Sequence, residues 1–325
     1  MTLDLLLDKI APAVSPEELA TLHLDAQLLE TMGVPPYDRF PLDERFSQLE
    51  ELSLAGNRIV ELDIPFEMPE LEKLDLSENE LEILGGMKHL PALTELDLSH
   101  NLMMKWPDFR ALPRLRLLNL AHNALPALLP EGIPPKVEWL SLSGNKRIKD
   151  LSAISHLENL THLFIKQLRL VSLEGIAHLP RLKALYLSPV VMGAMEVLSL
   201  CENLEELHLS VNYLLEDVEL PPLAQIKHLT LTKGNKLDIK GLAGYPALES
   251  LSIMGNQLEE WPKLGEHPEL MRLDARRNFL QALPPLGKLP ALRELDLREN
   301  PISPAAVDSH QKEFPQLHIL TDWSS

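Results

Sequence analysis

The sequence predicts an α/β solenoid, a right-handed horseshoe with a parallel β-sheet on its concave face and short 3-10 or irregular segments on its convex face. Three observations predict it. The pattern LxxLxLxxN returns every 22 residues but for one step of 23 between Val137 and Leu160, an asparagine at a fixed place closes most units, and the apolar content is aliphatic, with 45% hydrophobic but only 5% aromatic residues. A fixed period of this length marks a stacked repeat array.

The first apolar position falls at Leu49, Leu71, Leu93, Leu115, Val137, Leu160, Leu182, Leu204, Ile226, Leu248, Leu270 and Leu292. The asparagine falls at Asn57, Asn79, Asn101, Asn123, Asn145, Asn212, Asn235, Asn256, Asn278 and Asn300, with Leu168 and Val190 in its place in two units. Within LTELDLSHN (93–101) the alternation puts Leu96 and Leu98 on one face of a short strand and Glu95, Asp97 and Ser99 on the other. The asparagine then turns the chain, its amide suited to buried backbone groups left unpaired. Stretches such as WPDFRALP (106–113) are too short and proline-rich for long helices. One unit buries too little to stand alone, so stacking must supply the core. Bulkier outer segments curve the array, leaving the sheet on the inside.

Both ends of such a stack need caps. Residues 1–48 are assigned to an N-terminal cap, residues 49–313 to twelve repeats, and residues 314–325 to a C-terminal cap strand and tail. Ser15-Pro16-Glu17-Glu18 reads as a capping box, and a short helix is expected near residues 3–10. Residues 19–29 fit either a degenerate first repeat, with Gln27 in the asparagine slot, or a helical stripe of Leu19, Leu22, Ala26 and Leu29. Phe314, Leu317 and Ile319 suggest a last strand in the same 22-residue register.

Units such as LSAISHLENLTHL (151–163), and the ending ENPIS…FPQLHILTDW (299–323), resemble the short intracellular subclass of leucine-rich-repeat proteins. That subclass includes a regulatory subunit of type-one protein phosphatase. The Trp106-Pro107, Trp261-Pro262 and Leu283-Pro284 pairs are closer to bacterial and plant relatives. The resemblance implies the fold over residues 49–323 and a binding role toward some partner.

Charge narrows the partners. The net formal charge is −18, and the first hundred residues carry 22 acidic against 6 basic side chains. Such a surface repels nucleic acid and could steer a basic protein. No apolar run reaches the roughly 20 residues that span a bilayer. Asp4 and Asp8 stand where a signal peptide is basic, and Cys201 is the one cysteine, so a cytoplasmic setting is expected. No cofactor is expected, and a monomer is expected until a partner binds.

Function is expected in the variable strand positions that face water. Trp139, His162, Phe164, Tyr186, Glu206, His208 and His228 gather rings and polar groups there, in an array otherwise poor in aromatics. Tyr and Trp are favoured interface anchors. A ladder of rings packing on one another is the structural alternative. Arg272, Arg276, Arg277 and Arg298 form a second, charged patch, either a docking site for a carboxylate or phosphate or a network neutralised by Asp274, Glu294, Asp296 and Glu299. His100 and His122 occupy equivalent places in adjacent units, without a third metal ligand at suitable spacing. His89, His156 and His178 share one outer position and are read as structural; Trp106 and Trp261 are read as core. Glu206, His208 and Ser188 or Ser210 could be arranged as a hydrolytic set, but an open sheet offers no oxyanion pocket. The sequence therefore points to a non-catalytic protein-binding scaffold or adaptor. The alternative is a target-recognition subunit, of effector or phosphatase-regulatory type, that works with a separate enzyme chain.

Overall fold

A computed structural model describes residues 20–24, 40, 42, 44–129, 132–189, 195–210, 217–232 and 238–323. The Ser15 capping box, the helix expected at 3–10, Asn212, Asn235 and Val190 lie outside the described residues. The chain divides into two compact units, residues 1–175 and 176–325.

In the first unit the strands are β1 (Thr21–His23), β2 (Glu51–Ser53), β3 (Glu61–Leu62), β4 (Lys73–Asp75), β5 (Ile83–Leu84), β6 (Glu95–Asp97), β7 (Leu117–Asn119), β8 (Trp139–Ser141) and β9 (His162–Lys166). Seven of the described strands form a parallel sheet in the order β1-β2-β4-β6-β7-β8-β9. The register steps by one repeat, Glu51 facing Lys73, Lys73 facing Glu95, Glu95 facing Leu117 and Leu117 facing Trp139. Thr21 faces Glu51 in the same parallel sense, so residues 21–23 are a strand that enters by a longer connection. The rest of the ambiguous 19–29 segment beyond Leu24 is outside the described residues. On the outer side β3 and β5 pair as a small parallel ribbon.

Leucines explain the stack. Leu71, Leu76, Leu93, Leu96 and Leu98 are wholly buried, and Leu74 nearly so. Each full burial contributes about 1.5–3 kcal/mol, repeated coil after coil. Opposite them the other strand face carries Lys73, Glu95, Asp75 and Asp97, all partly or fully exposed. Outer segments close with 3-10 turns at Met87–His89, Phe109–Ala111 and Ser152–Ile154.

The asparagines solve the turn's hydrogen-bond problem. Asn79 Nδ2 donates to Leu54 O at 2.9 Å and to Leu76 O at 3.1 Å, while its Oδ1 accepts from Ile59 N at 3.0 Å. One amide thus ties its own coil to the preceding one. Asn101, Asn123 and Asn145 repeat the pattern. The residue before each is left-handed: Gly56, Glu78, His100, His122 and Gly144 have φ between 55° and 79°. A side chain in that conformation costs on the order of 1 kcal/mol, so the amide network must over-determine the turn.

The second unit contains β10 (Ala184–Ser188), β11 (Glu206–Ser210), β12 (Asp217–Glu219), β13 (His228–Thr232), β14 (Asp238–Lys240), β15 (Ser250–Ser252), β16 (Arg272–Asp274), β17 (Glu294–Asp296) and β18 (His318–Leu320). The sheet order is β10-β11-β13-β15-β16-β17-β18, again parallel, with β12 and β14 paired separately. The asparagine ladder returns at Asn256, Asn278 and Asn300.

Two expectations need correction. The last strand does not keep the 22-residue step, because Leu295 faces Ile319, 24 positions on. The outer segment before it is an α-helix, α1 (Pro304–Glu313), whose first turn is capped by Ser303 Oγ accepting from Ala306 N and whose first residue is proline. A full helix needs more chain than the 3-10 turns elsewhere. Trp106 and Trp261 are not core but half-buried. An indole overfills the slot that Leu62 takes, and its N–H needs an acceptor. Each ring therefore lies at the rim and donates to the next coil, Trp106 Nε1 to Ala127 O at 3.2 Å and Trp261 Nε1 to Ala282 O at 2.7 Å.

Candidate functional site

In the first unit β8 and β9 carry the predicted rings. Alternation sends Leu140, Leu163 and Ile165 inward, each fully buried, so Trp139, His162 and Phe164 point the other way and remain half-exposed. The Trp139 and Phe164 rings meet at 4.6 Å with a 37° tilt. His162 sits beside them, its Nδ1 2.8 Å from Thr161 Oγ1. The same hydroxyl lies 2.8 Å from Glu138 O, which ties it to the start of the neighbouring strand.

The same face becomes acidic toward β2. A groove of about 310 Å³ is lined by Glu51, Lys73, Asp75, Glu95, Asp97 and Leu117, among others. Lys73 Nζ lies 3.1 Å from Glu51 and 3.9 Å from Glu95. The Glu51 hydrogen bond, then the Glu95 charge, hold the Lys73 ammonium above its ordinary value. Asp75 and Asp97 serve the turns as well: Asp75 Oδ1 accepts from Ser77 N at 2.9 Å, and Asp97 Oδ1 from Ser99 N at 2.8 Å. Asn119 does likewise for Ala121 N, and its Nδ2 donates to Asp97 Oδ2 at 2.8 Å. Sequence reading treated this column as surface only. The missed signal was an Asp or Asn four residues ahead of the ladder asparagine in several units.

In the second unit Tyr186 on β10 and His208 on β11 stack face to face, centroids 4.1 Å apart and 3° from parallel. Burial, the Glu206 charge and a hydrogen bond to Glu206 together push the Tyr186 phenol upward. His208 Nε2 is 3.7 Å from Glu206 Oε2. His228 stands opposite Glu206 in the register and is half-buried. Glu206 is thus hydrogen-bonded to Tyr186 and lies beside His208.

The arginine patch is neutralised. Arg276 binds Asp274 through Nε and Nη2 at 3.0 and 2.9 Å, and its Nε is 3.4 Å from Asp296. Arg298 Nη2 donates to Asp296 at 2.6 Å, Arg277 Nε to Glu299 at 2.8 Å, and Arg272 lies 3.9 Å from Glu294. Burial works to raise the Asp296 carboxyl, but the Arg298 hydrogen bonds and the Arg276 charge outweigh it and hold it below the usual value.

Other expected positions are placed as follows. His100 and His122 stack at 4.3 Å. Among the described residues no group of three His, Cys, Asp or Glu is arranged to hold a metal. His156 bridges Ala153 O and Ile133 O, His89 meets Glu67 at 2.8 Å, and His178 is exposed. Cys201 is buried, its thiol pushed up to about 11 by desolvation. Two features escaped sequence reading: Tyr245, buried with its hydroxyl on Pro221 O at 2.9 Å, and His267, wholly buried with Nδ1 3.2 Å from Tyr245 O. Both replace the leucine found three residues before the first apolar position in other units.

The leucine rich repeat family profile matches residues 47–103, the coils of β2, β4 and β6. With parallel strands at a 22-residue step and an asparagine ladder, that match decides the architecture. The fold is a leucine-rich-repeat solenoid. It is similar to an internalin of Listeria monocytogenes, at 20% identity and TM-score 0.61 over 85% of this chain and 81% of that one. A leucine-rich-repeat protein of Leptospira interrogans matches at 21% identity and TM-score 0.55 over 94% and 96%. Toll, solved in complex with Spatzle from Drosophila, matches at 18% identity and TM-score 0.60 over 91% of this chain and 48% of that one. At these identities the likeness is one of fold. No curated protein matches the sequence. Among the described residues no helix is long and apolar enough to cross a membrane.

Proposed function

We propose that this leucine-rich-repeat chain is a non-catalytic protein-binding scaffold, an adaptor that takes its partner on the outward strand face. One observation carries the reading. Trp139 and Phe164 are paired on a half-exposed face while every leucine of the same strands is buried, so large rings stand together on the water-facing side of the strands. Aromatic side chains bury much area at little rotamer cost, which suits anchors. The stacked Tyr186 and His208 supply a second such surface within their own unit, with Glu206 and His228 giving polar selectivity. Toll, a similar fold, is known with a protein bound, which supports the reading by analogy. A single buried cysteine agrees with a reducing, cytoplasmic setting.

The test uses affinity capture from the source cell by the full chain and two double variants, W139A/F164A and Y186A/H208A. Loss of an anchor costs about 2 kcal/mol, roughly thirty-fold in affinity, so at least one variant should release the partner while keeping its circular dichroism spectrum. Undiminished capture by both, with the fold intact, removes the strand face from the account.

A further inference from the structure

Within the first unit the outward strand face has a polarity that specifies its occupant. Along the column closest to the groove run Glu51 on β2, Lys73 on β4, Glu95 on β6, Leu117 on β7 and Trp139 on β8, with Phe164 on β9 beside the last. The β2 end adds Asp75 and Asp97 to the glutamates, against Lys73 as the one cation among these residues. The β8–β9 end presents rings, and Leu117 between them is half-exposed.

We infer that this face binds an extended segment of a partner protein that carries arginine or lysine at one end and a large apolar side chain at the other. The inference rests on the strand-face reading above and narrows it to one partner chemistry. Charge complementarity selects the occupant. Carboxylates focused in a groove attract a cation and repel acidic chains, and Lys73, already held by Glu51 and Glu95, leaves the groove net negative. The rings take the apolar side chain, Trp139 and Phe164 being paired and half-exposed.

Geometry sets the spacing. Strands stack about 4.8 Å apart and an extended chain advances about 3.3 Å per residue. Glu95 lies two strands from Trp139, about 10 Å, and Glu51 four strands, about 19 Å. Basic residues should therefore sit about three and about six positions from the apolar anchor.

The experiment is a selection of displayed random peptides of about twelve residues, long enough to cross these strands, on the full chain, followed by fluorescence anisotropy with the enriched sequences made synthetically. The expected winners carry Arg or Lys three or six places from Trp, Phe, Leu or Met. Their binding should fall at least about ten-fold in E51K/E95K and weaken as salt rises from about 0.05 to 0.5 M. The neutral variant E51Q/E95Q, which leaves Lys73 without repulsion, should show the same direction and separates lost charge from a lost fold. Winners without a basic bias, no enrichment at all, or binding untouched by both charge variants overturns the inference. If W139A/F164A abolishes binding while the charge variants do not, the strand face stands and only the basic partner falls. If W139A/F164A also leaves binding unchanged, the strand-face reading falls with it.

Discussion

Cys201 fills an outer core position that Leu179 and Leu223 fill in neighbouring coils of the second unit, and it is just as buried. Desolvation pushes its thiol up to about 11, so little thiolate exists at neutral pH. A disulfide reagent should label the native chain far more slowly than the urea-unfolded chain, where labelling should be rapid and complete; equal rates would place the thiol at the surface. His122 behaves differently. Desolvation first, then the charges of His100 and Lys146, hold its imidazolium below the ordinary 6.5. The unfolded chain then binds the proton more readily, so stability is fully present above pH 6.5 and is lost as pH falls from there toward the lower folded value. H122N, which keeps a residue tolerant of the left-handed turn, should flatten the change in urea midpoint between about pH 7.5 and pH 5. A midpoint equally pH-dependent in both proteins would contradict this.

At the scale of elements, the ladder and the strands it closes were legible in the sequence, because a 22-residue step and an alternating face return the repeated leucines to the same core positions coil after coil. What the amide does was readable; how much it holds together was not. Asn101 Nδ2 reaches Leu76 O and Leu98 O, and its Oδ1 takes Leu81 N. N101D removes both donations and sets a carboxylate against two buried carbonyls. The cost should be about 3 kcal/mol or more, read as a lower urea midpoint; a change below 1 kcal/mol would mean that the turn closes without it. The final helix was missed although its signal was present. Ser303-Pro304 is the same Ser-Pro start as Ser15-Pro16, but a strict 22-residue period leaves no room for the extra chain that a helix needs there. S303A should cost about 1 kcal/mol. The rim position of Trp106 was hidden for another reason: repeat position predicts which slot a residue enters, not whether an indole fits it.

For the whole molecule, stacking makes stability a sum over coils and their neighbours. In-frame deletion of residues 80–101 removes one complete coil and joins Asn79 to Leu102, the residue that follows Asn101 in the next coil, so strand hydrogen bonds and the ladder can re-form. Such a chain should unfold cooperatively at a lower temperature, whereas deleting residues 80–90 alone breaks the register and should abolish the cooperative transition. The partner face was legible only in part. Residue types in the strand columns named the rings, but which rings pair, and that the arginines are neutralised by Asp274, Asp296 and Glu299, depend on side-chain directions that periodicity does not carry. The central claim is that the outward strand face, and not the outer flank with its exposed Ile83, Met104 and Leu129, meets the partner. Hydroxyl-radical footprinting of the free and partner-bound chain tests it most directly. Protection should fall on Trp139, Phe164, Tyr186 or His208 while Ile83, Met104 and Leu129 stay labelled; protection of those three with the strand rings still reactive would contradict the account.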